Sequence, residues 1–279
     1  MKTFSSPKKR FSRPPRRTTS SSPAAHTSWN SVADWYTDHL KEQGSYQEEL
    51  IFPGALKLLE LKPGETYVDL ACGEGSFIQG LARHLRRGLL IGMDAAPRLI
   101  EHARAQVRSS QELRIDFYLG DVSKPQSSLR TIQADGVSCL MAIQNVEDIE
   151  GTFRLAKSLL KENGRAVFVM NHPCFRQPRQ SGWGWDEERK LQYRRVDRYK
   201  SVYEMPIIAH PGSAPSVTTL SYHRPLEVYI QAAANAGLAL DRLEEWSSKK
   251  ISTSGPRAKA ENVARQEIPL FLALRFRAL

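Results

Sequence analysis

The chain has 279 residues, 41% hydrophobic and 25% charged, the proportions of an ordinary globular protein with ample length for a core. It has no apolar run near the roughly 20 residues needed to cross a bilayer and no apolar h-region near its start, so neither a membrane span nor a secretory signal is expected. Three cysteines, none in a CxxC pair, give no zinc site and no disulfide framework, and they fit a reducing cytoplasm. The formal charge is +10, but Lys2, Lys8, Lys9, Arg10, Arg13, Arg16 and Arg17 all precede the first acid, Asp34, and leave only +3 for the rest.

Residues 1–28 read as a basic tail too rich in Ser and Pro to bury apolar surface, hence disordered. The bland reading is a solvated leader, and the sharper one a weak electrostatic contact with nucleic acid or an anionic surface. An organellar transit peptide ranks third, because the prolines oppose the amphipathic helix it needs. Order is expected from residue 29. Trp29, Val32, Trp35, Tyr36 and Leu40 recur at helical spacing with Ser31 as cap. Pro53 opens a second helix, which Lys62-Pro63-Gly64 ends.

Strands and helices then alternate. Thr66–Ala71, Leu89–Met93, Leu113–Leu119, Ala134–Met141 and Arg165–Met170 read as strands. Ser76–Arg87, Pro97–Val107 and Thr152–Leu160 read as the helices between them. This rhythm implies a doubly wound α/β fold with a parallel sheet. It breaks at Asn171. Residues 172–224 show no clean period, carry many aromatic and basic residues, and read as an inserted lid. Regularity returns with a helix over Pro225–Ala236 and strands over Leu238–Trp246 and Leu270–Phe276. Ser247–Gly255 reads as a mobile polar loop.

The central signal is Val68-Asp69-Leu70-Ala71-Cys72-Gly73-Glu74-Gly75-Ser76-Phe77, a strand entering a glycine loop that opens a helix. Gly73 and Gly75 allow positive φ and let a ligand approach the backbone. In open α/β sheets ligands bind beyond the carboxyl ends of the strands. A pyrophosphate-binding loop has a third glycine where Ile78 stands, and Asp69 and Glu74 would repel a phosphate. S-adenosylmethionine has no phosphate and carries a sulfonium and an ammonium, so an acidic mouth suits it and penalises NAD. Asp94, 19 residues after Gly75, closes the second strand where a carboxylate can accept ribose hydroxyls. Asp121 follows the third strand, placed to accept from an adenine amino group. Each acid alone is equally well a cap or turn former. Three on successive strand ends around one glycine loop make coincidence a poor account.

VDLACGEGSF, GMDAAP and LGDV resemble the first three motifs of class I S-adenosylmethionine-dependent methyltransferases of the type 11 and type 25 domain groups. The resemblance covers about residues 29–279, taken as one domain. It implies a seven-stranded Rossmann-like sheet of order 3-2-1-4-5-7-6, the last strand antiparallel. It also implies that Asp69, Ala71, Gly73 and Gly75 surround the methionine and ribose, Asp94 and Ala95 take the ribose, Asp121 and Val122 take the adenine, and Tyr36 covers the cofactor.

Methyl transfer needs alignment, sometimes a base, and neither metal nor covalent nucleophile. Gln144-Asn145-Val146-Glu147-Asp148 lacks the Asn/Asp-Pro-Pro-Tyr signature of amino-group methyltransferases, and Asn145 and Asp148 read as loop hydrogen bonders. His172, after strand five, is the candidate general base; the alternative is a histidine satisfied by its own turn. In the lid, Trp183, Trp185, Tyr193, Tyr199, Tyr203 and Tyr222 are candidate pocket walls, and Arg176, Arg179, Arg194, Arg195 and Arg198 candidate anion clamps. A private core with a solvated basic face is the commoner outcome for such residues. Tyr222-His223-Arg224-Pro225 resembles a recurrent segment of small-molecule methyltransferases. The leading expectation is methyl transfer to oxygen or carbon of a small molecule. The alternatives are an RNA or DNA methyltransferase using the tail and lid, a non-catalytic S-adenosylmethionine-binding subunit and, weakest, a dehydrogenase.

Overall fold

The computed structural model describes Trp29 and residues 45–106, 110–208 and 218–279. The tail at 1–28, Ser31, Trp35, Tyr36 and the rest of the first expected helix lie outside these residues. No helix among the described residues is long and apolar enough to cross a membrane.

Seven strands form the main sheet: β1 (Thr66–Leu70), β2 (Gly88–Asp94), β3 (Leu113–Leu119), β4 (Ala134–Leu140), β5 (Leu160–Asn171), β10 (Leu238–Trp246) and β11 (Phe271–Ala278). Their order is β10-β11-β5-β4-β1-β2-β3, with β11 antiparallel to both neighbours. Counted along these seven strands this is the expected 3-2-1-4-5-7-6. Both faces are covered, which is why the strands read as continuous apolar runs rather than alternating ones. One face carries Val68, Leu70, Met93, Cys139 and Phe168 against helices α4 (Ile149–Leu159) and α5 (Leu226–Asn235). The other carries Tyr67, Leu90, Val167, Val169 and Phe271 against α1 (Phe52–Leu59), α2 (Ser76–His84) and α3 (Pro97–Gln106). A short π-helical turn, Gln47–Ile51, leads into α1.

The expected boundaries shift for local reasons. Helix α4 starts three residues earlier because the Asp148 carboxylate accepts the Gly151 N–H at 2.8 Å, a side-chain N-cap. Strand β5 takes in the turn Glu162–Gly164, with Asn163 at φ 59°. Helix α6 (Ala258–Glu267) was not legible as a helix: only Ala264 is buried, so its apolar period is weak despite good helix formers. Arg275, buried in β11, makes a bidentate pair with Asp241 (both 2.9 Å) and also donates to Leu58 O and Glu60. It ties the end of α1 to the antiparallel edge.

The segment between β5 and α5 is more regular than its sequence suggests. It forms two hairpins, β6 (Ser181–Asp186) with β7 (Leu191–Val196) and β8 (Tyr203–Ile208) with β9 (Thr218–His223). The strands of the first hairpin are short and partly exposed, and in β9 the buried face is the polar set Thr219, Ser221 and His223, so no apolar alternation marks either hairpin. Gly184 lies beneath the Tyr193 ring opposite it; a Cβ there would stand 2.4 Å from that ring.

Candidate functional site

The carboxyl ends of β1, β2 and β4 meet around the glycine loop. Along β1, Tyr67 and Asp69 face the side covered by α1 and α2, since alternate residues of a strand share a face. Strand β1 ends at Leu70, and the chain then turns sharply: Ala71 at φ 55°, Gly73 at φ 58° and Gly75 at φ 81° all sit in the left-handed region. Ala71 has a Cβ and costs about 1–2 kcal/mol there, strain of the kind that collects at functional sites. Met141, at the end of β4, has φ 56° and lines the same cleft.

Strand β2 braces the loop. Cys72 N–H donates to Met93 O at 2.9 Å, and Gly73 N–H donates to Asp94 Oδ2 at 2.9 Å. The other Asp94 oxygen accepts Ala96 N–H at 2.9 Å, and Ala95 N–H also points at this carboxylate. Burial nevertheless raises the Asp94 pKa, opposed by these three N–H groups. Asp69 is 3% exposed and accepts the Ser138 hydroxyl at 2.6 Å. Burial first, with the nearby Asp94 adding to it, pushes the Asp69 carboxyl up to about 7 against the Ser138 bond. Glu74 is 4% exposed; its Oε1 accepts Ser76 Oγ–H at 2.9 Å, and its Oε2 is buried with no partner. Three carboxyl groups thus crowd one loop, and no lysine or arginine contributes to the titration of Asp69 or Asp94.

Asp69, Ala71, Gly73 and Glu74 line a narrow cleft of about 50 Å³, roofed by Gln47 and Phe52 from the π-turn and α1. Drug-sized ligands occupy several hundred Å³, so a nucleoside enters only as that roof lifts. Gly75 starts α2, packed so close to Phe117 that a Cβ would stand 2.9 Å from the ring. Asp121 stands one strand further, where Gly120 N–H donates to Asp94 O at 2.9 Å. Its carboxylate serves its own turn, accepting Ser123 N–H at 2.9 Å and Ser123 Oγ–H at 2.7 Å, with Lys124 at 3.5 Å. Burial opposes ionisation, but these partners together hold its pKa below the usual range. Val122 is buried in the core beside it.

His172 sits two strands to the other side, 2% exposed. Its Nδ1 accepts Cys174 N–H at 3.1 Å, which leaves the proton on Nε2 to be donated to Glu245 at 2.8 Å. Burial lowers its pKa, partly offset by Glu245, so the ring is neutral with both nitrogens engaged. The lid aromatics and arginines largely stack on one another: Arg194 on Trp183, Arg198 on Tyr203, Arg224 on Tyr222. Ser138, Gln47, Phe52 and Met141 were not singled out by sequence; a serine inside a strand and a residue just before a helix carry no signal of their own.

The sheet order and this strand–glycine-loop–helix crossing are those of the class I S-adenosylmethionine-dependent methyltransferase fold. Residues 61–197 match the family model Methyltransf_31, described as a methyltransferase domain. The 2-phytyl-1,4-naphtoquinone methyltransferase of Thermosynechococcus vestitus is 33% identical over 141 residues, 49% of this chain and 60% of that protein. The demethylmenaquinone methyltransferase of Tropheryma whipplei strain Twist is 28% identical over 43% of this chain and 47% of its own length. The chain therefore spans about half to three fifths of these curated relatives. Among solved structures, an S-adenosylmethionine-dependent methyltransferase from Mesorhizobium loti is similar at TM-score 0.63 and 25% identity, covering 81% of this chain and 96% of that one.

Proposed function

We propose that the protein transfers a methyl group from S-adenosylmethionine to an oxygen or carbon atom of a small, flat organic acceptor. The observation that carries the reading is the buried Glu74 Oε2 without a partner, close to Asp69 at the end of β1 and Asp94 at the end of β2, with no lysine or arginine paired to these three carboxylates among the described residues. An unpaired buried carboxylate is costly. A ligand bearing an ammonium and a sulfonium, and no phosphate, relieves that cost, whereas a dinucleotide raises it. Bound there, the cofactor supplies a methyl group already activated for displacement.

The chain's own residues do the rest. Asp69 and Glu74 hold the ammonium end, and the left-handed backbone at Ala71, Gly73 and Gly75 lets the ligand lie against the loop. A carboxylate has about four acceptor positions, and Asp94 uses three on N–H groups, so one remains for a ribose hydroxyl. Ala95 lies beside it. Asp121 and Val122 take the adenine, with Asp121 releasing Lys124 or Ser123 to do so, and Tyr36 closes over the nucleoside. Alignment of acceptor and methyl supplies most of the acceleration. His172 has its proton on Nε2 toward Glu245 and its lone pair on Nδ1 toward Cys174 N–H, so it is a base only if that backbone bond opens, and a base-independent transfer to an acidic acceptor fits this geometry more simply.

The names of the curated relatives, which act on naphthoquinone-type molecules, support a small-molecule acceptor. We take residues 29–279 as one catalytic domain with 172–224 as its lid, and residues 1–28 as a weak anionic-surface tether. Three free thiols support a cytoplasmic setting. The test is incubation of the protein with methyl-labelled S-adenosylmethionine in fractionated lysate. Label in small molecules, lost in Asp94→Ala, supports the reading; label in RNA or protein overturns the acceptor class. Absence of transfer with tight cofactor binding indicates a non-catalytic subunit, and NADH binding more tightly than S-adenosylhomocysteine overturns the cofactor.

A further inference from the structure

Arg176 is a largely buried cation with no acidic partner among the described residues. Its side chain makes no hydrogen bond or ion pair among the described residues, and its Nη1 is shut off from solvent without a partner. Its guanidinium stacks 4.9 Å over the Phe271 ring. Burial lowers its pKa, opposed by Tyr46, and Arg194 lowers it further, so the only other guanidinium acting on it is a repulsive one. Arg194 is itself occupied, donating to Phe175 O at 2.6 Å and Ser181 Oγ at 3.0 Å. Lys250 Nζ, the other cation nearby, lies over the Tyr46 ring at 4.8 Å, so the guanidinium left without a polar partner in this corner is Arg176. Beside it Asn171, which pairs with Phe271 across β5 and β11, has a buried Oδ1 that also lacks a partner.

This corner belongs to the same trough as the carboxylate cradle. Asp69 on β1, Leu140 on β4, Asn171 on β5 and Phe271 on β11 lie on one face of the sheet, at its carboxyl edge, by strand alternation and register. One short helix covers both ends. Tyr46 packs edge-on to Phe271 at 5.2 Å, and Gln47, the next residue, lines the cradle beside Asp69. Three strand spacings separate β1 from β11, roughly 14 Å. The ammonium and carboxylate of one amino acid sit on the same carbon, so a cofactor whose ammonium lies at Asp69 does not bring its own carboxylate to Arg176.

We propose that Arg176, stacked on Phe271 and flanked by Asn171, is the anchor for an anionic oxygen group, a carboxylate, on the methyl acceptor. The inference rests on the methyltransferase reading and narrows it: the acceptor is an aromatic acid, its ring lying along the trough and its charge held at the end remote from the methyl group. The planar guanidinium suits a carboxylate bidentately, and the Asn171 amide donates to it once its NH2, in place of Oδ1, is turned to the site.

The test uses the full chain saturated with S-adenosylhomocysteine and titrated calorimetrically with 4-hydroxybenzoate and 6-hydroxy-2-naphthoate, each against its carboxamide. The wild type is expected to bind the acids at least about 10-fold tighter than the amides, the scale of one charge-assisted hydrogen bond. Arg176→Met, which keeps a flexible apolar stem over Phe271, is expected to bring acid and amide within 2-fold and leave the S-adenosylhomocysteine Kd unchanged. Arg176→Lys keeps part of the preference. Ligand-free Arg176→Met is expected to melt higher than wild type, because it removes a buried unpaired charge; this separates loss of the site from loss of the fold. Equal binding of acid and amide by the wild type, or a preference that survives Arg176→Met, overturns the proposal. A fall in S-adenosylhomocysteine affinity in place of acid affinity also overturns it and assigns Arg176 to the cofactor carboxylate. If the wild type does not bind S-adenosylhomocysteine at all, the cofactor reading fails, and the same acid and amide pairs on the ligand-free protein still decide the anion site.

Discussion

Asp69→Asn removes a charge and keeps the shape. The wild-type carboxyl titrates at about 7 in the folded chain because it is buried beside Asp94, and near 3.9 when unfolded. Between those values the native state holds a proton that the unfolded state has lost, so stability falls as pH rises. From pH 5 to pH 8 the loss is about 2.5 kcal/mol, and below pH 4 the penalty is absent. Asparagine does not titrate and still accepts the Ser138 hydroxyl through its carbonyl. The difference in unfolding free energy between D69N and wild type should therefore grow in the mutant's favour by about 2.5 kcal/mol from pH 5 to pH 8. The ligand reverses the sign. A charge-assisted contact with the ammonium is worth about 1.5–3 kcal/mol, so D69N should bind S-adenosylhomocysteine about 10- to 100-fold more weakly at pH 8. In the wild type the affinity should drop about 10-fold from pH 8 to pH 6, as the free carboxyl takes up its proton; in D69N that dependence should vanish. Denaturant unfolding and calorimetric titration across this range read both effects. A pH-independent stability difference, or unchanged affinity in D69N, would refute the electrostatic account of the cradle.

Glu74→Gln should raise the Tm of the ligand-free protein, since an unpartnered buried carboxylate oxygen becomes a neutral amide, and weaken S-adenosylhomocysteine about 10-fold; thermal melts with and without ligand check both. Gly75→Ala puts a Cβ 2.9 Å from the Phe117 ring at φ 81°. It should cost about 2–3 kcal/mol in urea unfolding, well above an ordinary surface Gly→Ala change. Arg275→Met breaks the bidentate pair with Asp241 and the bonds to Leu58 O and Glu60. Because Asp241 and Glu60 keep access to water, the expected loss is about 2–3 kcal/mol, smaller than for a fully enclosed pair, with S-adenosylhomocysteine affinity intact.

The two clearest misreadings have the same cause. Helix α6 and the first lid hairpin bury little, and β9 buries polar residues (Thr219, Ser221, His223), so burial wrote no apolar period of 3.6 or 2 into their sequences. The strands of the main sheet were legible because both of their faces are covered, which demands unbroken apolar runs such as Ala166–Met170. His172 shows the limit for single residues. Its place after β5 and the turn that takes its Nδ1 lone pair are local, but the partner that holds its Nε2 is Glu245, 73 residues away on β10.

The sequence alone determined the alternation of strands and helices, the glycine loop and the acidic character of its mouth, because periodicity, backbone conformation and charge are properties of neighbouring residues; the strand order came only through the resemblance. Only the tertiary structure decided which acids are buried and short of partners. Glu74 is left with an unmatched oxygen and Asp69 with a raised pKa, while Asp121, written in the same kind of turn, is satisfied by Ser123. It likewise left Arg176 Nη1 without a partner among the described residues at the far end of the trough. Desolvation and pairing are set by what packs overhead from distant parts of the chain, and no local pattern encodes that.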